Sequence, residues 1–428
     1  MATHSANRDP RLLRWLRVRE FAVPPTMIES ATARRRTGDW AGACAAARLD
    51  VDLDLKAAAR AHGRALVEQL RAELRRLAPD LLRWHLPRTA PDGLLRPGLT
   101  VPLARYDGIG RDVRSPVHLV VRTPPAWADG GQRISIALWS DGADAGRHPH
   151  PRPSRRYRLD LHRHLWDADR AGELGARGGE GAAHPAVPPG LPCAVDRWAA
   201  EARVLLAADG LPEGPVAVRL GGRHRLVLGA DGTPAPGVTD GLPVLPDAAT
   251  WIPPDVELLR AGLIEPDRLH PLVAAALAPG RVPAARVRPP DGPRFVDCRG
   301  SRHRIGLVDG VLAALDHGPE ELRREELLVA LGGPPLPCLR AIDLTHKRPT
   351  ALGGVRELLD HGDTAGALAV VEELLGPAAV LRDGPLRDEL EAAAQRRIAY
   401  GLYRAGLVGA HFPTPCSRDR RPRARRTF

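Results

Sequence analysis

Apolar and polar positions change period along this chain, and the changes predict its elements. Between about 26 and 90 the spacing is helical. A short helix is expected over about Thr26 to Thr37, Gly38-Asp39 turns the chain, and Asp39 caps a second helix through Ala47. Leu49 to Asp54 alternates apolar and acidic residues, as a half-exposed extended segment does. Asp54 then caps a long helix from Leu55 to about Arg76, with Leu55, Ala59, Leu66, Leu70, Leu74 and Leu77 along one stripe. Ahead of these, Arg11, Arg14 and Arg17 recur every three residues among Leu12, Leu13, Trp15 and Leu16. That pattern fits an amphipathic helix docked on the protein's own core. From about 97 the period becomes two. Thr100–Tyr106, Pro116–Arg122, Arg133–Trp139 and Tyr157–Leu165 read as four strands of a small, mostly antiparallel sheet. Further on, a helix is expected over Val195–Ala208 and a hairpin over Val216–Leu228 around Gly221-Gly222. Helices follow near 255–263 and 266–278, a second hairpin over Phe295–Leu312, then helices near 319–331, 352–361, 363–375 and 385–405.

The fold class expected from this order is α+β: helical N- and C-terminal regions flanking a mostly antiparallel β-rich middle, with a basic disordered C-terminal tail. The regions are a helical 1–90, a β-rich 97–170, a Gly/Ala/Pro-rich linker at 171–191, an α+β stretch with two hairpins at 192–345, a helical 346–410 and a tail at 411–428.

The 428 residues carry a net charge of +11, but the charge sits at the ends. Residues 1–36 and 418–428 contribute +5 each and leave +1 for the body between. Arg418, Arg420, Arg421, Arg423, Arg425 and Arg426 form an arm able to attract nucleic acid or another polyanion. Only two lysines, Lys56 and Lys347, accompany the arginines, a bias that follows genome composition as readily as any nucleic-acid partner. No apolar run approaches the roughly 18 residues of a membrane span, and the start lacks a signal-peptide core, so a cytoplasmic protein with no transmembrane segment is expected.

Several chemistries are excluded by motif. The chain has no phosphate-binding P-loop, no G-x-S-x-G elbow and no H-E-x-x-H pair. Cys44, Cys193, Cys298, Cys338 and Cys416 are widely spaced, without the C-x-x-C of a zinc ribbon or a thioredoxin-like site. The D-x-D-x-D of Asp50, Asp52 and Asp54 lacks the later Gly and Glu of a calcium loop. No cofactor follows from any motif. Two constellations remain. On the strand read at Tyr157–Leu165, Asp160, His162 and His164 share one face, the donor types of a zinc or iron site, against the alternative of an exposed polar face. His148 and His150 make a second H-x-H pair, in a Pro-rich loop expected to be solvated. Cys298 with His303 nearby has the elements of a thiol nucleophile and its base. The alternative makes Cys298 a small buried hydrophobe, with His303 and His224 histidines at the edge of the core.

Two internal similarities accompany these motifs. Arg223-His-Arg-Leu-Val-Leu228 resembles Arg302-His-Arg-Ile-Gly-Leu307, and the segment at Gly38-Asp39 matches that at Gly362-Asp363 in six of eight positions. The segments Leu12–Glu20, Gly38–Cys44, Leu77–Pro87 and Leu242–Trp251 resemble a family of uncharacterised actinobacterial proteins. That resemblance transfers no site residue; it implies proteins that accompany MoxR-type AAA+ ATPases. The function expected is a non-enzymatic adaptor that binds a protein partner. The alternatives are a nucleic-acid-associated protein using its basic ends, and a metal-dependent or Cys/His enzyme of unrecognised type.

Overall fold

The computed structural model describes residues 9–107, 116–141, 148–181, 183–222, 224–280, 294–298, 300–308, 311–331, 333, 336–339, 350–375 and 384–407. The tail and its six arginines lie outside the described residues. The chain forms two compact units. One comprises Met1–Pro283 and Arg396–Phe428, the other Ala284–Gln395. Their boundary falls inside the stretch 192–345 that the pattern treats as one region. The fold class is α+β, with helices toward both ends and mainly antiparallel sheets between them.

The larger unit opens with helices α1 (Pro10–Phe21), α2 (Pro25–Arg36) and α3 (Trp40–Ala46). Asp39 caps α3 as expected, its carboxylate accepting from Gly42 N at 2.8 Å. Strand β1 (Leu49–Asp52) precedes α4 (Leu55–His62), α5 (Arg64–Arg76) and α6 (Pro79–His85). The single helix expected over Leu55–Arg76 is thus two. Gly63 stands at φ +90, a conformation that ends one helix and that side chains with a Cβ rarely adopt.

Strands β2 (Thr100–Tyr106), β3 (Val117–Arg122) and β4 (Ile134–Trp139) follow within a residue or so of the positions read from the sequence. They form one sheet in the order β1-β4-β3-β2. The fourth place is taken by β1, parallel to β4, and not by Tyr157–Leu165. The latter segment closes i→i+3 bonds, Leu161 N to Arg158 O and Leu165 N to His162 O, and includes a 3₁₀ turn at Arg163–Leu165. Its apolar residues alternate because Leu159 and Leu165 reach the core from successive turns, which mimics a strand's period.

Residues 171–191 are not a plain linker, since Ala171 and Leu174 are buried in the main core. Helix α7 (Val195–Ala208) packs on a second sheet, β5 (Val216–Arg219), β6 (Arg225–Leu228) and β7 (Pro234–Ala235), through Trp198, Leu205 and Leu226. Helices α8 (Pro254–Arg260) and α9 (Pro271–Leu277) complete this part. The main core is large, with Trp84, Trp166, Leu70, Leu81, Leu103 and Ile136 among its buried members. At about 1.5–3 kcal/mol per fully buried large side chain, such a cluster stabilises a unit of this size without any added staple.

A buried polar seam fixes α1 in place. Arg19 donates to both carboxylate oxygens of Asp255 on α8, at 2.7 and 2.8 Å, and to Trp84 O at 2.8 Å. Both side chains of the ion pair are almost fully buried, so α1 is docked on the core by a paired charge as well as by Leu12 and Val18.

The smaller unit begins with a three-stranded antiparallel sheet, β8 (Arg294–Cys298), β9 (Ser301–Val308) and β10 (Val311–Ala314), followed by α10 (Pro319–Ala330). Among the residues whose burial is described, its buried cluster comprises Cys298, Ala314, Leu336 and Cys338, flanked by Val296, Leu322 and Leu339. Helices α11 (Thr350–Asp360) and α12 (Thr364–Leu375) pair around Val355, Leu359, Ala367 and Val371, and Ala393 of the last helix, α13 (Pro385–Ala405), joins that cluster. The Gly38-Asp39 and Gly362-Asp363 segments are the same turn used twice. Both glycines have positive φ, 78 and 81, and each aspartate accepts from the backbone N–H three residues on.

Candidate metal centre

The β8–β9 hairpin places its donors by register. Cys298 pairs with Ser301 and Val296 with His303, so Cys298 and His303 are diagonal neighbours on one face of the sheet. The chain leaving β10 is then pinned beside them. Leu315 N donates to Arg304 O at 2.9 Å, and Arg304 N donates to the Asp316 carboxylate at 2.7 Å. The Arg304 guanidinium also closes on Asp316, at 2.6 Å, and holds that carboxyl down to about 2. This clasp delivers the next residue, His317, to His303. The two rings meet edge to face, with centroids 4.4 Å apart and His303 Nδ1 2.8 Å from His317 Nε2. Cys338 arrives from a helical turn beyond α10 and is fully buried, as is Cys298.

The four donor atoms of Cys298, His303, His317 and Cys338 all lie within 4.8 Å of one another. A tetrahedral zinc ion with Zn–N of about 2.0–2.1 Å and Zn–S of about 2.3 Å needs edges of about 3.3 Å between nitrogens and about 3.8 Å between sulfurs. The bound of 4.8 Å exceeds these edges by about 1.0–1.5 Å, and the one nitrogen pair, at 2.8 Å, lies inside its edge. Two thiolates and two imidazoles are a donor set for Zn²⁺, where Mg²⁺ or Ca²⁺ would want oxygens.

Burial and the adjoining Cys298 thiol push the Cys338 thiol up to about 11, so on its own it stays protonated at neutral pH. A divalent cation reverses that preference by binding the thiolate.

The residues singled out in the sequence are distributed differently. The Asp160 carboxylate accepts from Arg158 at 2.9–3.1 Å. His162 and His164 are both buried, with rings 5.9 Å apart, on a turn rather than an exposed strand face. His162 Nδ1 bonds Arg158 O at 2.8 Å, and its Nε2 lies 3.3 Å from Glu201. Burial first, then His162 and Arg177, depress His164 well below the usual histidine value. Burial alone would raise Glu201, but His162 and Arg177 hold it down to about 2. The three are parts of a structural network. His148 is likewise engaged, its Nε2 2.9 Å from Thr123 O. His224 is exposed, not at a core edge. Of the sequence-derived pairs, only Cys298 and His303 come together at a centre, and His317 and Cys338 were missed.

A cleft of about 430 Å³ in the larger unit also gathers ionisable groups, among them Glu73, Arg105, Tyr106, Arg158, Asp160 and Arg163. Its charges close on each other or on neighbours. Arg163 pairs with Glu73 and Asp167, Arg158 with Asp160 and Asp209, and Arg105 with Asp107. Each carboxylate that lines it, Glu73, Asp107 and Asp160, is held by an arginine.

Comparison with protein families, with curated proteins and with solved structures finds no match for this chain. Among the described residues, no helix is long and apolar enough to cross a membrane.

Proposed function

We propose that this chain is a non-catalytic adaptor whose smaller unit is a zinc-binding module. The observation that carries the reading is the closed donor set of Cys298, His303, His317 and Cys338. Structural zinc sites use four protein ligands, whereas catalytic ones keep a position open for water or substrate. With both thiols and both imidazoles engaged, the ion has no vacant position and serves the fold. The module then presents a surface to a protein partner in a reducing compartment such as the cytoplasm, and the sequence resemblance nominates a MoxR-type ATPase as that partner.

Charge favours a protein over a nucleic acid. Ala284–Gln395 holds 14 Lys and Arg against 18 Asp and Glu, so the module is acidic within a basic chain. A phosphate backbone is attracted by the opposite sign.

Elemental analysis of the purified full chain tests the reading. About one zinc per chain is expected, with loss of the metal in Cys338→Ser and in His317→Ala. A metal-free wild-type chain, or zinc retained by both variants, would overturn it. Affinity capture with the zinc-loaded chain should recover the same stoichiometric partner repeatedly.

A further inference from the structure

We propose that Glu321 is the positioning residue of the metal centre: its carboxylate accepts a hydrogen bond from the Nδ1–H of His317 and so leaves the Nε2 lone pair for the ion. The inference rests on the zinc-binding reading above and extends it beyond the four ligands.

His317 presents its two nitrogens to different partners. Nε2 points at His303, another member of the cluster, 2.8 Å from that ring's Nδ1. Nδ1 points the other way, 3.1 Å from Glu321 Oε2. A neutral imidazole carries one N–H and one lone pair, and which nitrogen holds the proton depends on its neighbours. Water is not the arbiter, because the His317 side chain is only 2% exposed. An ionised carboxylate accepts and does not donate, so Glu321 fixes the proton on Nδ1. Nε2 is then free to bind, and His303 binds through Nδ1. The carboxylate also holds the plane of the ligating ring.

The local sequence builds this contact. Gly318 and Pro319 start α10 directly after His317, and Glu321 is the third residue of the helix. A glutamate at this position commonly reaches back across the helix start. Here it reaches the side chain of His317, four residues earlier.

A competing role for Glu321 is to complement the positive end of α10. Glu320 separates the two. It occupies the same helical turn, is 89% exposed and faces Arg324 at 3.9 Å. Zinc affinity is measured on the full-length chain by competition with a chromophoric chelator, for wild type, Glu321→Ala, Glu321→Gln and Glu320→Ala. Glu321→Ala should weaken zinc binding about 10- to 100-fold. Glu321→Gln, which keeps size and an acceptor oxygen, should weaken it less. Glu320→Ala should remain within about twofold of wild type, since it touches no ligand. Ring ¹⁵N spectra of zinc-loaded wild type should show His317 protonated at Nδ1 and metal-bound at Nε2. In Glu321→Ala that single tautomer should be lost or broadened. Equal losses in Glu320→Ala and Glu321→Ala, or wild-type affinity in Glu321→Ala, would overturn the positioning role while leaving zinc binding intact. A wild-type chain that binds no zinc would overturn both readings together.

Discussion

The two units solve the stability problem by different means. The larger buries three tryptophans and many aliphatic side chains in extended clusters. Among the residues whose burial is described, the cluster at the β8–β10 sheet has four buried members, Cys298, Ala314, Leu336 and Cys338, and two of these are the candidate ligands. A cluster of that size offsets little of the roughly 1–2 kcal/mol of backbone entropy lost per ordered residue. Small modules with this deficit gain stability from disulfides or a structural metal. Here the cysteines are free thiols, and two histidines stand beside two of them. On the zinc-binding proposal, burial suffices for the larger unit, whereas the β8–β10 sheet depends on a bound ion.

Chelation should break the comparison open with the largest effect. Removing the metal from the full chain is expected to abolish hydrogen-exchange protection across β8–β10, while α5, α6 and β2–β4 keep theirs. Structural zinc in small peptides contributes on the order of 10–16 kcal/mol. Uniform protection in the chelated chain would show that the two units do not differ as argued.

The reverse experiment acts on the larger unit. Asp255→Ala leaves Arg19 buried without its carboxylate partner and should cost about 3–5 kcal/mol in denaturant unfolding. Zinc content should not change.

Acid should also act on the larger unit. Burial lowers His85 from its usual value to about 4, and His164 falls well below the usual value as well. Between about pH 6.5 and 4 the unfolded chain takes up a proton that folded His85 refuses, so acid favours unfolding. The contribution is complete above about pH 6.5 and falls by about 1.4 kcal/mol per pH unit for each such histidine as pH drops. Urea midpoints of a metal-saturated sample at pH 7 and pH 5 measure this, and equal midpoints would count against it.

The smallest expected effect compares the turn that both units share. Asp39→Ala and Asp363→Ala each remove a side-chain acceptor at a helix start and should each cost about 1 kcal/mol. Thermal melts of the two variants check it.

Sequence reading succeeded where structure is local. Asp39 and Asp54 cap the helices assigned to them, β2, β3 and β4 fall where period two placed them, and Val195–Ala208 is a helix over its full predicted span. It failed where a local pattern had two solutions. Tyr157–Leu165 alternates like a strand but turns, and the place left in the sheet is filled by a strand about a hundred residues earlier. The metal centre was half legible. Cys298 and His303 stand on one hairpin, and register alone makes them neighbours. His317 depends on the Arg304–Asp316 clasp and Cys338 on the chain's return after α10. Four, thirteen and twenty residues separate the four donors, a spacing that no short motif encodes.

The central claim is that one zinc ion closes the smaller unit through two sulfurs and two nitrogens. X-ray absorption at the zinc edge of the purified full-length chain tests it most directly. Two sulfurs at about 2.3 Å and two nitrogens at about 2.0–2.1 Å are expected. A shell of oxygen and nitrogen alone, or one with a water in place of a sulfur, would contradict it.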